Sequence, residues 1–247
     1  MLINIDVKSL EWCCYLFLSQ DKVGIDEWHA VLEDPTKNDI HKDNQVKFNL
    51  PSRLIAKTFV FRLIYGGSAY SYANDPDFKA IGNESFWQGV IDEFYKKYSG
   101  LRKWHDKILI DAKRNRKLSM PTGRVYNFEP EIRNGRAEWP RTKILNYPVQ
   151  GLGADLMALA RVSLRNRLLN KEGVLLVNTV HDSIILDFNP KVWDNTILVN
   201  LVDKCFNDIP SNFNKLFGKT FNLPMRVECQ IGPTWGNMEI VNANYNN

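Results

Sequence analysis

The feature that constrains this chain most is a set of four side chains spaced four residues apart. They are, in chain order, Arg53, Lys57, Phe61 and Tyr65. Steps of four residues drift by only about 40° around an α-helix, so one helix face carries all four side chains, about 6 Å apart along the axis. Pro51-Ser52 before the set and Gly66-Gly67 after it are typical helix boundaries. The pattern predicts a helix that opens at Pro51-Ser52 and runs through Tyr65.

The chemistry of this face changes from one end to the other. Two cations come first and two aromatic rings follow, over a length of about 18 Å. A nucleoside triphosphate has the same polarity, because Arg and Lys can bind phosphate oxygens while an aromatic ring packs on the sugar or base. For any one of these residues, an ordinary amphipathic helix with core aromatics and surface cations is the alternative. The four together, followed by Gly66, favour a nucleotide-binding helix.

Composition limits the class of protein without identifying a partner. The 247 residues are 44% apolar and 12% aromatic, which excludes intrinsic disorder and permits a core without disulfides or metals. The formal net charge of +4 permits nucleic acid as a partner but does not require it. No apolar run approaches about 18 residues and the N-terminus lacks a signal-peptide pattern, so no membrane partner is expected. Four cysteines without metal-binding spacing predict reduced thiols and a cytoplasmic protein.

Hydrophobic patterns along the chain alternate between strand-like and helix-like stretches. Strands are predicted at Leu2–Ile5, Val174–Val180, Ile184–Phe188 and near Met225–Ile231. Helices are predicted at 84–98, at 100–116, from Gln150 to about Leu169 and from about Trp193 to Phe206. Residues 25–50 are expected to form a helix fragment followed by loops. This order predicts an α+β fold in which a palm-like sheet is interrupted by a helical insertion.

Two aspartates lie beside the predicted strands. Asp6 ends the first strand, and Asp182 lies at the tip of a predicted hairpin, directly after His181. Two carboxylates at the ends of neighbouring strands can hold two divalent cations for phosphoryl transfer. Turn chemistry is the alternative for Asp182 alone, because Asp is common at hairpin tips. Only the fold can bring the two aspartates together, because they lie far apart in the chain.

Taken together, these segments resemble the family A DNA polymerases, the group of bacterial polymerase I and phage replicative enzymes. Four motifs occur in the family's order, at Asp6–Glu11, Arg53–Gly66, Asn146–Gly151 and Val180–Ser183. Asp39–His41 and Gly123-Arg124 are similar to shorter family elements. The resemblance covers most of the chain, from Asp6 to about Trp235. It implies template-directed DNA synthesis, in which a primer 3′-OH attacks the α-phosphate of a dNTP.

The resemblance also implies domains, cofactors and partners. The palm, an antiparallel sheet with helices, is predicted at 1–15 and 141–247, and the helical fingers at 16–140. Primer–template DNA and dNTPs are the expected partners, and two Mg²⁺ ions are the expected cofactors, with Mn²⁺ as an alternative. The first motif lies close to Met1, so no thumb or exonuclease domain is expected here. Two explanations are open: a split polymerase of phage type, in which a second polypeptide supplies the thumb and the remaining palm, with or without an exonuclease, or a fragment from which the N-terminal part was removed.

Individual roles follow from the motif positions. The resemblance implies that the metal ions are held by Asp6, the carbonyl of Val7 and Asp182. The residues with catalytic roles are Asp6, Lys57 and Asp182. The dNTP is predicted to contact Glu11, His41, Arg53, Lys57, Phe61 and Tyr65, with Glu11 excluding a ribose 2′-OH. The primer–template is predicted to contact Gly66, Arg124, Asn146, Gln150 and His181.

Two departures from the family pattern leave alternatives open. Ser183 stands where the family usually has a glutamate beside the metal-binding aspartate, and Ser9 stands where many members carry a glutamine. The missing auxiliary carboxylate makes a catalytically weak or inactive polymerase-like subunit, which binds or scaffolds DNA, one alternative. A fragment of a single-subunit RNA polymerase is the other, although Glu11 and Phe61 argue against it.

Overall fold

The structure is a computed structural model that describes residues 1–35, 37–133 and 135–241. Its strands are β1 (Leu2–Val7), β2 (Lys117–Ser119), β3 (Val125–Asn127), β4 (Glu131–Arg133), β5 (Arg136–Glu138), β6 (Val174–Val180), β7 (Ser183–Phe188), β8 (Val227–Thr234) and β9 (Asn237–Ile240). Its helices are α1 (Leu10–Ser19), α2 (Lys22–Glu33), α3 (Ile40–Lys47), α4 (Arg53–Ile64), α5 (Ala69–Ala73), α6 (Glu84–Lys97), α7 (Ser99–Asn115), α8 (Arg141–Leu168), α9 (Asn195–Asn207) and α10 (Ile209–Phe217). The predicted α+β class is confirmed.

The chain divides into two compact units. The sheet unit comprises Met1–Cys14 and Gly151–Asn247, and the helical unit comprises Tyr15–Gln150. Because the helical unit lies between the two segments of the sheet unit in the sequence, the chain leaves the sheet unit after residue 14 and returns to it at residue 151. No described helix is long and apolar enough to cross a lipid bilayer.

An antiparallel sheet of five strands, in the order β6-β7-β1-β8-β9, forms the sheet unit's framework. Its central strand β1 alternates strictly, with Ile3, Ile5 and Val7 buried while the side chains between them are half-buried. This period of two gives the sheet one apolar face and one face that carries polar groups. The register of β1 against its two neighbours therefore decides which polar side chains meet.

The helical unit is built around an aromatic core. Helix α4 starts where the Ser52 hydroxyl accepts a hydrogen bond from the Ile55 N–H, at 3.2 Å. Phe59 on the buried face of α4 packs against Tyr72 and Trp87, with ring centroids 5.2 and 5.8 Å away. A second cluster of buried side chains comprises Ile108, Leu109, Ala112, Leu118, Phe128, Ile144 and Leu145. Phe59 and its aromatic neighbours cover one face of α4, and Arg53 and Lys57 lie exposed on the face with the repeated spacing.

The structure differs from the sequence-based expectations in two segments. Helix α8 begins at Arg141, nine residues before the predicted start, and continues through Pro148. The burial of Ile144, Leu145 and Val149 stabilises the turn that Pro148 would disfavour. Residues 25–50, predicted as a helix fragment and loops, contain most of α2 and all of α3. Helix α3 has a weak hydrophobic pattern and depends on its cap, so periodicity alone did not indicate it.

Candidate active site

A row of polar side chains crosses the middle of the sheet. Asp6 on β1 is directly opposite Ser183 on β7 and directly opposite Glu228 on β8. Side chains at opposed positions of an antiparallel pair lie on the same face, so the three form one continuous row. The Ser183 hydroxyl donates to Asp6 Oδ1 at 3.2 Å. The sheet therefore brings together two carboxylates, Asp6 and Glu228, that are 222 positions apart in the sequence.

Lys8 joins the two carboxylates of this row. Its Nζ lies 3.3 Å from Asp6 Oδ2 and 3.0 Å from Glu228 Oε1. Partial burial acts to lower the pKa of Lys8, but hydrogen bonds and the charges of Glu228 and Asp6 outweigh it and raise that pKa. Lys8 is therefore a protonated cation shared by both carboxylates at neutral pH.

The hairpin tip between β6 and β7 lies next to the end of β1. The Asp182 carbonyl accepts a hydrogen bond from the Val7 N–H at 3.0 Å, which fixes the two backbone segments side by side. His181, one of the predicted primer–template residues, is exposed and has a φ of 52°, in the left-handed region that suits a tight turn. The structure thus brings Asp6, Val7 and Asp182, the three predicted metal ligands, into neighbouring backbone positions.

The donor chemistry of this cluster fits a hard divalent cation. Carboxylate and carbonyl oxygens are the ligands that Mg²⁺ and Mn²⁺ prefer, and Asp6, Val7 and Asp182 offer only these. Within residues 1–35, 37–133 and 135–241, no group of three or more His, Cys, Asp and Glu side chains has the geometry of a metal site. Asp6, Val7 and Asp182 therefore suit a divalent cation because of the kind of donor atoms that they offer. The ion pairs of Lys8 with Asp6 and Glu228 are further evidence that this cluster attracts cations.

Glu11, the predicted sugar-selecting residue, belongs to the sheet unit. It lies in the first turn of α1 and is half-buried, where a negative charge favours the helix N-terminus. Burial raises the pKa of the Cys14 thiol well above its ordinary value, and the charges of Cys13, Glu11 and Asp155 add to the effect. Glu11 therefore lies close enough to Cys14 for its charge to act on the buried thiol.

In the helical unit, α4 exposes the face that the four-residue spacing predicts. Arg53 and Lys57 are exposed, Phe61 and Tyr65 are half-buried, and the intervening residues Ala56, Phe59, Val60, Leu63 and Ile64 are buried. Tyr65 is the C-cap residue, one position after the helix ends. The Lys57 Nζ lies 6.0 Å from the centre of the Phe61 ring, a cation–π distance. The predicted helix and its exposed face are both present.

His41 packs against the same face of α4. Its ring centroid lies 5.9 Å from that of Phe61, and the side chain is 8% exposed. Burial lowers the pKa of His41 to about 4, and the positive charges of Arg53 and Lys57 contribute to the lowering. His41 Nδ1 is buried without a hydrogen-bond partner among the described residues. A neutral histidine with an unused ring nitrogen therefore lies beside the two cations.

Asp39 caps α3 and holds Arg53. Its carboxylate accepts hydrogen bonds from the backbone N–H groups of His41 and Lys42, and Arg53 Nε donates to it at 2.6 Å. Burial acts to raise the pKa of Asp39, but the hydrogen bond from Arg53 and the two backbone N–H groups prevail and lower it. Arg53 is thereby anchored to the N-terminus of α3, next to His41.

Some of the predicted primer–template residues of the helical unit lie close together. Gln150 Nε2 donates to the Tyr65 hydroxyl at 2.8 Å. Gly66 has a φ of +95°, and a Cβ there would lie 3.3 Å from the Leu145 side chain, so glycine suits this turn. Asn146 Oδ1 is buried without a hydrogen-bond partner in the described part of the chain. Gly66, Gln150 and Tyr65 are thus linked through α8.

Arg124 lies in the turn between β2 and β3, and its side chain is exposed. Its carbonyl accepts a hydrogen bond from the Met120 N–H at 2.8 Å, which closes the turn. Its role at the primer–template stays a prediction.

Sequence reasoning missed Glu228 entirely. The only signal was the pattern of the strand predicted near Met225–Ile231, where Glu228 and Gln230 alternate with the buried Cys229 and Ile231. Alternation predicts that Glu228 points to the polar face of a sheet, but it does not say which strand lies next to it. The structure also points Lys8 at Asp6 and Glu228, an orientation that the sequence does not reveal.

Comparisons with known proteins identify relatives that match most of the chain. The family model of DNA polymerase family A matches residues 1–237. The chain is 33% identical over 198 residues to the thermostable DNA polymerase I of Thermus aquaticus, covering 76% of this chain and 22% of the relative. It is 32% identical over 192 residues to DNA polymerase I of Aquifex aeolicus, covering 74% of this chain and 30% of the relative.

A solved structure shares the fold. The polymerase domain of Pol1 from M. smegmatis, in complex with DNA primer–template and dNTP, superposes with a TM-score of 0.76 at 19% identity, over 95% of this chain and 40% of that chain. The chain spans less than a third of the length of the two polymerase I relatives described above. With a family model that matches nearly its whole length, the chain belongs to DNA polymerase family A.

Proposed function

We propose that this chain carries out template-directed DNA synthesis, transferring a nucleotide from a dNTP to a primer 3′-OH. The observation that carries the proposal is the position of Asp6 and Asp182 on adjoining backbone segments of the sheet unit, joined by the Val7–Asp182 hydrogen bond of 3.0 Å. Family membership supports it, as does the polymerase–DNA–dNTP complex that shares the fold. In this proposal the palm, predicted at 1–15 and 141–247, contains the sheet unit, and the fingers, predicted at 16–140, lie within the helical unit.

The proposed reaction forms one P–O bond and breaks another. The primer 3′ oxygen attacks the α-phosphorus of the dNTP, its proton is lost, and pyrophosphate leaves. Asp6, the Val7 carbonyl and Asp182 would hold two Mg²⁺ ions. When bound, such ions lower the pKa of the hydroxyl and neutralise charge on the leaving group. Glu11 would exclude a ribose 2′-OH, as the family resemblance implies.

The exposed face of α4 would bind the triphosphate. Lys57 is an exposed cation with no carboxylate partner among the described residues, so it is available for a charge-assisted hydrogen bond to a phosphate oxygen. His41 stays neutral at physiological pH because its pKa is lowered to about 4, so it can donate a hydrogen bond without adding charge. Phe61 offers a flat apolar surface for the sugar or base. Because Arg53 Nε donates to Asp39, Arg53 can bind phosphate only if its guanidinium contacts the phosphate and Asp39 at the same time.

The decisive experiment compares two aspartates of one hairpin. Asp182→Ala should reduce single-nucleotide incorporation on a primed template by about 1,000-fold or more, because a metal ligand is lost. Asp187→Ala is the matched control, since Asp187 lies on β7, its side chain is 55% exposed and its described partner is the N-terminal ammonium. Its rate should stay within about twofold of the unmodified chain. An Asp182→Ala variant that retains more than about a tenth of the rate would contradict the assignment.

A second candidate is a polymerase-like subunit that binds DNA without extending it. The pairing of Asp6 with Lys8, together with Ser183 in place of the family's glutamate, favours this alternative. Binding of primer–template without any incorporation, by a folded chain supplied with Mg²⁺ or Mn²⁺, would support it. The second polypeptide that would carry a thumb stays a prediction, tested by co-purification.

A further inference from the structure

The shared cation in the carboxylate row is the basis for a further inference. Lys8 follows β1 directly, and its backbone N–H donates to the Arg226 carbonyl at 2.9 Å, next to β8. This bond anchors the residue between β1 and β8, which carry Asp6 and Glu228. One ammonium group thereby lies within 3.3 Å of an oxygen of each carboxylate.

The two carboxylates are not equivalent in their other partners. Asp6 accepts from the Ser183 hydroxyl at 3.2 Å, and Glu228 accepts from Gln230 Nε2 at 3.2 Å. Neither of these donors is charged, so Lys8 is the only described cation within salt-bridge distance of the pair. Two carboxylates opposed across strands repel each other, and a cation between them removes that repulsion.

We infer that Lys8 is an internal counter-ion that competes with divalent cations for Asp6, and that Glu228 holds Lys8 when Asp6 binds an ion. Lys8 and Glu228 are positioning residues in this arrangement, because they act through Asp6. The inference rests on the proposed function, since it takes Asp6 as a metal ligand. It adds to the site Glu228, which lies outside the four motifs, and a role for Lys8 within the first of them.

The physical reason is competition between like charges. An ammonium 3.3 Å from Asp6 Oδ2 repels a divalent ion at that oxygen and must move for the ion to bind. Glu228 offers Lys8 a second carboxylate at 3.0 Å, so Lys8 can leave Asp6 without losing its ion pair. Removal of Lys8 should therefore tighten ion binding, and removal of Glu228 should weaken it as long as Lys8 is present.

The test is a binding measurement that does not depend on activity. The full chain is titrated with Mn²⁺ alone, and free Mn²⁺ is followed by electron paramagnetic resonance. Lys8→Met should bind Mn²⁺ about three- to tenfold more tightly, the range expected for two partly exposed ion pairs. Glu228→Gln should bind about threefold more weakly. In the Lys8→Met background, Glu228→Gln should change the affinity by less than about twofold, because no lysine remains to be held.

Three controls separate the charge effect from damage to the fold. Lys191→Met removes an exposed lysine of the sheet unit that has no described carboxylate partner, and it should leave Mn²⁺ affinity unchanged. Lys8→Arg keeps the charge and should retain the affinity of the unmodified chain. Lys8→Gln replaces Lys8→Met if circular dichroism or thermal unfolding shows that the Met variant is misfolded.

The possible outcomes of these measurements either support the inference or overturn it. Unchanged or weaker Mn²⁺ binding in both folded Lys8 variants would overturn it, and so would the absence of Mn²⁺ binding in every variant. A full loss of affinity on Glu228→Gln in the Lys8→Met background would make Glu228 a direct ligand and also overturn it. Failure of primer extension with the predicted Mn²⁺ pattern intact would instead count against the proposed function alone.

Discussion

The two units place charged groups by different means. In the sheet unit, Asp6, Ser183 and Glu228 come from three strands and meet because of β-sheet register. In the helical unit, Arg53 and Lys57 lie one turn apart on a single helix. The two arrangements also differ in charge balance. Lys8 in the sheet unit is shared by two carboxylates, whereas Lys57 in the helical unit has no described carboxylate partner.

This contrast indicates a division of chemistry. A region rich in carboxylates attracts cations, and its resident lysine limits that attraction. A region with an unpaired cation attracts anions such as phosphates, and its neighbouring histidine stays uncharged. Two kinds of experiment test this division: one measures whether the two units unfold separately, and the other removes single charges from each unit.

The largest expected effect is on the stability of the helical unit. Phe59 is fully buried, and its ring lies within 5.9 Å of the rings of Tyr72, Trp87 and Phe94. Phe59→Ala should lower the free energy of unfolding by about 3–5 kcal/mol, because it leaves a cavity in the core. Chemical denaturation measures the loss, and hydrogen exchange measures where it occurs.

An exposed residue of the same helix provides the control. Leu54 on α4 is 69% exposed, and Leu54→Ala should change the stability by less than about 0.5 kcal/mol. In the Phe59→Ala variant, the protection of backbone amides against hydrogen exchange should decrease in residues 15–150 and stay unchanged in β1, β7 and β8. Equal loss of protection in the sheet would show that the two units do not unfold separately.

An intermediate effect is expected on acidification. Burial lowers the pKa of His105 to about 3, and the charges of Arg141 and Arg102 add to the lowering. The unfolded chain binds a proton at this histidine below about pH 6.5, whereas the folded chain does not until near pH 3. The stabilisation is therefore complete above pH 6.5 and is lost as the pH falls toward 3. Between pH 6.5 and 4.5 we expect a loss of roughly 2 kcal/mol, measured by urea unfolding at each pH.

A histidine of the sheet unit is the matched control for this pH dependence. His105→Gln removes one of two histidines with a lowered pKa and should reduce the slope between pH 6.5 and 4.5 by about half, because His41 still titrates below its ordinary range. His181→Gln replaces an exposed histidine and should leave the slope unchanged. A slope that His105→Gln does not reduce would mean that other groups of the helical unit, such as His41, govern its acid sensitivity.

The smallest expected effect concerns Lys57 of α4, which has no carboxylate partner in the part of the chain that the structure describes. Lys57→Ala should lower incorporation efficiency for a dNTP by about tenfold, close to 1.4 kcal/mol, because one charge-assisted contact to phosphate is lost. Lys47→Ala, which removes an exposed lysine of α3, should stay within about twofold. Steady-state kinetics on a primed template measures both. Equal losses in the two variants would indicate a general effect of charge on DNA binding rather than a contact to the dNTP.

Helix α4 shows which structural features could be predicted from the sequence and which could not. The helix and its exposed face were predicted from the spacing of Arg53, Lys57 and Phe61, and the structure has both. The position of His41 beside Phe61 was not derivable from spacing, because α3 and α4 are separate elements and α3 has little hydrophobic pattern. The functional roles of these residues and the palm and fingers boundaries stay predictions.

The residue pattern was sufficient to predict the α+β class, the longer helices, four of the five strands of the main sheet and the motifs of the family, because these depend on local periodicity and short spacings. Only the tertiary structure decided that Glu228 and Lys8 join Asp6, and that α8 continues through Pro148. A helix repeats every 3.6 residues along one segment, so a single stretch of sequence reveals its face. The neighbours of a strand come from distant segments, and their register is set by the packing of the whole sheet.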